Sequence, residues 1–200
     1  MYKTAHSVKI PSIQNNTMRT RALRLAFFVL GAILLLPALS QAQSQIALQA
    51  DTGNWMARCD GCQNTVDPSN TNTATLHVTD PTPPYARFQL VDVGGGKIAL
   101  KADNGNWVAR CRGCIVGGRT DDFVTMHVPG TLPPPAYAQF TPVLLSNGKY
   151  ALRADTGLYV SRCESCSPGA ATRDQVTIHV SDPNTAPYAQ WTIIPILPGT

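Results

Sequence analysis

Apolar and polar positions alternate in short bursts along residues 46–200, and the bursts come in sets of four. Ile98 to Ala102 alternates and ends at Asp103-Asn104-Gly105. That ending favours a tight hairpin, because Gly adopts a positive φ at no steric cost. Trp107 to Cys111 reads as a second strand and Phe123 to Val128 as a third. A proline-rich connection, Pro129 to Pro135, leads into a fourth strand over Ala138 to Leu145. Outside an apolar run near the N-terminus, no segment carries the 3.6-residue period of a helix. The pattern predicts short antiparallel strands throughout.

The same set of four is written three times. Ile46 to Cys59 (IALQADTGNWMARC) recurs as Ile98 to Cys111 (IALKADNGNWVARC) and as Tyr150 to Cys163 (YALRADTGLYVSRC). Asp51, Asp103 and Asp155 mark a spacing of about 52 residues, the size range of a supersecondary repeat. Later positions match too, at Leu76-His77-Val78, Met126-His127-Val128 and Ile178-His179-Val180. The repeats run over about residues 46–97, 98–149 and 150–200, which leaves no room for a separate catalytic domain. Propeller blades also use four strands, but propellers typically close with at least four blades. Three such units are instead expected to form an all-β, pseudo-three-fold β-trefoil, with a six-stranded barrel and three capping hairpins.

Two phrases bring a family into view. Lys149 to Val160 (KYALRADTGLYV) resembles the repeat opening of fascin-like trefoil domains, and Pro187 to Trp191 (PYAQW) resembles that family's pattern before its last strand. The resemblance covers all three units and implies the fold. Fascin bundles actin through several tandem trefoils, whereas one trefoil is expected here. The six cysteines depart from the fascin pattern. Ricin-type lectins share the fold but carry Gln-x-Trp in each unit, and Gln190-Trp191 lacks the intervening residue.

Charge and the N-terminus alter the functional outlook. The formal charge is +4, yet five of the 16 bases (Lys3, Lys9, Arg19, Arg21 and Arg24) lie in the first 42 residues, which hold no acid. The remaining 11 bases face all 12 acids, a net charge of about −1. That balance argues against nucleic-acid binding through phosphate neutralisation. Residues 1–42 read as a leader with a secretory signal: three arginines, an apolar run from Leu25 to Leu39, and Ser40 and Ala42 before a cleavage site. The run is too short to span a bilayer as a helix, and no later stretch is long enough. Met18 is an alternative start. Residues 43–200 are therefore expected to be exported, to the periplasm or beyond the cell, without a membrane span and as a monomer.

Each unit ends its second strand with a Cys-x-x-Cys. In an exported protein this predicts the disulfides Cys59-Cys62, Cys111-Cys114 and Cys163-Cys166, paired within each unit. A zinc alternative combines each pair with the following histidine: Cys59, Cys62 and His77; Cys111, Cys114 and His127; Cys163, Cys166 and His179. Three ligands per unit leave zinc one short of its usual four. The simpler reading has the histidines satisfied within their hairpins. No metal or other cofactor is expected.

Asp51, Asp103 and Asp155 are candidate carbohydrate ligands, with Asn54 and Asn106 beside them and Trp55, Trp107 and Tyr159 as stacking platforms. The plainer reading makes the aspartates hairpin-turn residues and the aromatics structural. Arg58, Arg110 and Arg162 fall on the strand face of Met56, Val108 and Val160, where they would cap the barrel end or share an anion. Glu164 is the only glutamate, and no nucleophile–base arrangement stands out, so no catalysis is expected. The leading expectation is a secreted, non-catalytic module binding a glycan or an extracellular protein surface. The alternatives are a structural or interaction protein related to fascin, and a protease inhibitor acting through the stiff loops Pro81–Pro84 or Pro129–Pro135.

Overall fold

A computed structural model describes residues 44–197; the leader, its signal and the alternative start at Met18 lie outside the described residues. The first sequence unit supplies β1 (Gln45–Gln49), β2 (Trp55–Asp60), β3 (Asn72–Val78) and β4 (Phe88–Gly94). The second supplies β5 (Lys97–Lys101), β6 (Asn106–Arg112), β7 (Asp122–Pro129) and β8 (Thr141–Leu144). The third supplies β9 (Tyr150–Arg153), β10 (Tyr159–Glu164), β11 (Asp174–Val180) and β12 (Thr192–Ile196).

The first strands of each unit arise where expected. After β1, β5 and β9, a glycine at φ 81–86° (Gly53, Gly105, Gly157) turns the chain, a region that costs any residue with a Cβ. The fourth strand is shorter than the Ala138–Leu145 expectation. Ala136–Ala138 forms a single 3-10 turn, as do Pro84–Ala86 and Pro187–Ala189. The prolines fix φ and lack the N–H a strand would use, so pairing begins only past them.

Antiparallel pairing runs β1–β4, β4–β5, β8–β9 and β12–β1. The bridges Ile98↔Phe140 and Tyr150↔Trp191 link β5 to β8 and β9 to the chain entering β12, closing the sheet into a barrel. The hairpins β2–β3, β6–β7 and β10–β11 join that ring through one residue pair each, β1–β2, β5–β6 and β9–β10, and meet one another through β3–β7, β3–β11 and β7–β11. Between ring and hairpins lies the core, where Leu48, Leu100 and Leu152 pack with Met56, Val108 and Val160. Phe88, Phe140 and Trp191 complete it from matched positions. Trp191 also donates its indole N–H to the Val160 carbonyl at 3.0 Å, so a wholly buried polar atom is satisfied. Among the described residues no helix is long and apolar enough to cross a membrane.

Candidate functional site

The arginines and aspartates singled out in the sequence meet across unit boundaries. Arg58 on β2 donates from Nε and Nη2 to the two carboxylate oxygens of Asp103, both at 2.7 Å. Arg110 holds Asp155 in the same way at 2.7 and 2.8 Å, and Arg162 returns to Asp51 at 2.8 and 2.8 Å. The third guanidinium nitrogen is anchored at home, on Asn72 for Arg58, Asp122 for Arg110 and Asp174 for Arg162. Planar forks facing carboxylates are the strongest ion-pair geometry available to side chains. The arginine hydrogen bond holds each of Asp51, Asp103 and Asp155 below the usual carboxylate range, against a smaller opposing effect of burial. Their partners are pushed the other way. Sequence reasoning named all six residues and missed that they pair. The available signal was that both sets repeat together without exception.

Two of these aspartates line open clefts at the junctions between units. The first, about 490 Å³, is lined by Gln45, Pro84, Arg87, Gln89, Lys101 and Asp103, with Ala102 and Gly105 at its floor. The second, about 160 Å³, is lined by Lys97, Ala136, Thr141, Arg153 and Asp155, with Ala154 and Gly157. Each residue of the second cleft stands 52 positions after one of the first, so the same backbone framework presents changed side chains. Gly130 packs against Lys101 and Gly105, two residues that line the first cleft. Its carbonyl accepts from Lys101 Nζ at 3.2 Å, and a Cβ there would strike the Gly105 carbonyl and the Lys101 stem. In both clefts the carboxylate is held by its arginine and by backbone N–H groups of its own turn, and it stays partly exposed to the cleft as an acceptor for hydroxyl groups.

The other sequence candidates lie elsewhere. Trp55 and Trp107 are 7% and 1% exposed, and Trp107 donates its indole N–H to the Thr131 carbonyl at 3.0 Å. Neither ring offers a face for a sugar to stack on, which corrects that expectation: β2 and β6 turn these rings against the connections that follow β3 and β7. Tyr159 is half-buried against Val180, Ala186 and Ala189. Asn106 donates its amide to the Met126 carbonyl at 3.0 Å, a hairpin brace. The Asn54 carbonyl accepts from the Ala50 N–H at 2.9 Å, and the residue is half-buried in its turn.

The cysteines form the three disulfides Cys59–Cys62, Cys111–Cys114 and Cys163–Cys166. The zinc alternative is not assembled. Its sulfurs are joined, and no cluster of three or more His, Cys, Asp or Glu able to hold a metal occurs among the described residues. His77, His127 and His179 instead place Nδ1 on the hydroxyls of Thr75, Thr125 and Thr177. His179 also meets Ser161 Oγ at 2.9 Å. Burial pushes all three histidines below their ordinary value. Beyond the disulfides the hairpin loops interlock. The carbonyls of Cys62, Cys114 and Cys166 accept N–H groups from Ala171, Val66 and Arg119, each from a different unit. Nothing in the sequence announced that contact.

No family model matches the sequence. No curated protein matches it. Solved structures do. The SDF2-like protein of Arabidopsis thaliana aligns with a TM-score of 0.59 at 11% identity, over 77% of this chain and 94% of that one. The designed three-fold symmetric protein ThreeFoil aligns with a TM-score of 0.54 at 16% identity, over 75% and 97%. The Polyporus squamosus lectin, solved with Neu5Acα2-6Galβ1-4GlcNAc, aligns with a TM-score of 0.53 at 11% identity, over 76% of this chain and 49% of the lectin. The chain thus has a β-trefoil-like, all-β fold.

Proposed function

We propose that this protein is a secreted, non-catalytic carbohydrate-binding module built from three pseudo-symmetric 52-residue repeats, with its sites in the clefts between repeats. The observation that carries this reading is the recurrence of one cleft framework at two junctions, each with an oriented aspartate, a long cation and a polar strand residue. The lectin among the similar structures binds a sialylated saccharide, which is compatible with that reading on fold alone. The disulfides fit an oxidising compartment. The fascin-like phrases support the trefoil and add no filament site of their own.

Each cleft alone is shallow and polar, so single-site affinity should be weak. Two or more sites on one rigid body gain strength on a surface that presents many copies of the ligand. The test is a glycan array probed with the protein and with the Gln89→Ala/Thr141→Ala pair, which truncates one polar wall residue in each cleft. Binding that falls at least tenfold in the pair, with the melting temperature retained, supports the assignment. Unchanged binding moves the site away from the clefts, and no binding to any saccharide removes the lectin-like reading.

A further inference from the structure

The clefts differ from one another in charge, and the difference follows from which side chains occupy the shared framework. The first cleft carries Lys101 with Arg87; the second carries Lys97 with Arg153. At the third junction the matching positions hold Lys149, Gln190 and Gln49, so Gln49 stands where Lys101 and Arg153 stand. The aspartate in each cleft cannot balance these cations, because both of its oxygens already face an arginine from the preceding unit.

Lys101 and Arg153 donate to neutral carbonyls. Lys101 Nζ donates to the Gly130 carbonyl and lies 5.7 Å from the centre of the Trp107 ring. Arg153 Nε donates to the Gly157 carbonyl at 3.3 Å. Among the described residues, no carboxylate comes within ion-pair distance of Lys97, Lys101 or Arg153. Arg87 donates to the Pro81 carbonyl and feels the charge of Asp80 nearby, so its share is smaller. The neighbouring arginine networks also differ. Arg58 is anchored on neutral Asn72, whereas Arg110 and Arg162 are anchored on Asp122 and Asp174. The first two junctions therefore carry a positive excess, and the third, with Gln49 in place of a cation, carries the least.

Resting on the cleft assignment above, we infer that these sites select anionic saccharides, sugars bearing a carboxylate or a sulfate, and that the first two junctions bind them more tightly than the third. The anionic group meets Lys101 in the first cleft, or Lys97 and Arg153 in the second. The ring hydroxyls meet the oriented aspartate and the strand residue Gln89 or Thr141. This ordering is set by charge and does not require the units to differ in backbone.

The test is calorimetric titration with three oligosaccharides of one length: an oligogalacturonate, its carboxyl-reduced neutral counterpart, and a sulfated galactan fragment. The expected result is binding of the galacturonate at least tenfold tighter than the neutral sugar at 50 mM salt, with the gap narrowing as salt shortens the screening length. The sulfated fragment separates a demand for charge alone from a demand for a planar carboxylate. Lys101→Gln should reduce the preference and Lys101→Arg should restore it. Lys97→Gln, at an exposed position, should reduce it in part, and Arg112→Gln on the outer surface should leave it intact. Equal affinity for charged and neutral sugars overturns the inference while leaving the cleft assignment standing. A preference that survives Lys101→Gln combined with Lys97→Gln and Arg153→Gln also overturns it. Failure of all three sugars to bind counts against the cleft assignment itself.

Discussion

Arg58, Arg110 and Arg162 share one geometry, yet their surroundings are unequal, and the inequality is measurable. Asp103→Asn leaves Arg58 with the Asn72 amide and the more distant charge of Asp60, whereas Asp155→Asn leaves Arg110 hydrogen-bonded to the carboxylate of Asp122. Hydrogen bonds to charged groups contribute about 1.5–3 kcal/mol when buried, and partial exposure here lowers that to about 1–2 kcal/mol. Denaturant melts should show Asp103→Asn as the costlier change; equal costs would mean the second anchor does not matter. Titration gives a further signature. The three histidines are held below 6.5 by burial, so their neutral form is the one the fold accommodates. The unfolded chain takes up protons near 6.5 first, and stability therefore declines as pH falls below that value. The aspartates, held below 3.8, contribute fully above it, and their contribution is lost as pH drops through their folded values. Urea midpoints should therefore fall gently from pH 7 to 5 and steeply below about 4. A midpoint unchanged between pH 7.5 and 5.5 would show the histidines to be uncoupled from folding. At this scale the sequence identified the residues and not their partners. Repetition marks a position as structurally equivalent, but a fork reaching into the next unit depends on three-dimensional closure that no local pattern encodes.

At the level of strands and turns, prediction was most reliable where backbone chemistry is local. The Asn-Gly and Thr-Gly turns and the alternation in β5 are sequence-local, and they formed as expected. The fourth strand starts later than Ala138 because Ala136-Tyr137-Ala138, directly behind Pro133 to Pro135, takes a 3-10 turn. The burial of Trp107 was equally hidden, since a strand shows which side chains share a face but not what later packs over it. One turn breaks its own repeat. Gly61, Gly113 and Ser165 occupy the same place between paired cysteines, all with positive φ, and Ser165 at 54° is the sole non-glycine there among the described residues. Each makes the same backbone hydrogen bond, to Thr71, Asp121 and Arg173 respectively. Left-handed backbone costs a residue with a Cβ about 1–2 kcal/mol, and glycine gives back part of that gain as unfolded-state entropy. Ser165→Gly should therefore stabilise the protein by about 0.5–1 kcal/mol, read as a rise in denaturant midpoint at unchanged slope. Gly61→Ser should lower it by a similar amount. Stabilisation by both changes, or by neither, would separate turn conformation from stability at this site.

Over the whole molecule, the arginine forks between units run in one rotational sense. Unit one reaches unit two through Arg58, unit two reaches unit three through Arg110, and unit three returns to unit one through Arg162. The loop hydrogen bonds to the second cysteines repeat that sense. No unit is first or last by its contacts, and the covalent chain merely enters the circle at β1 and leaves at β12. Those two strands are themselves paired, with Gln45 opposite Ile196, so the chain ends of the described fold lie side by side. Where the polypeptide is cut is thus a matter of synthesis and not of architecture. A permuted chain opened between Gly95 and Gly96, with residues 197 and 44 joined by a short linker, should fold to the same far-ultraviolet spectrum and melt cooperatively. Excising residues 98–149 should not yield a smaller working version, as it would in an open solenoid, because two units cannot complete the circuit of forks. A soluble, cooperatively melting two-unit chain would contradict that expectation. The molecule should tolerate a change in the order of its units and not a change in their number.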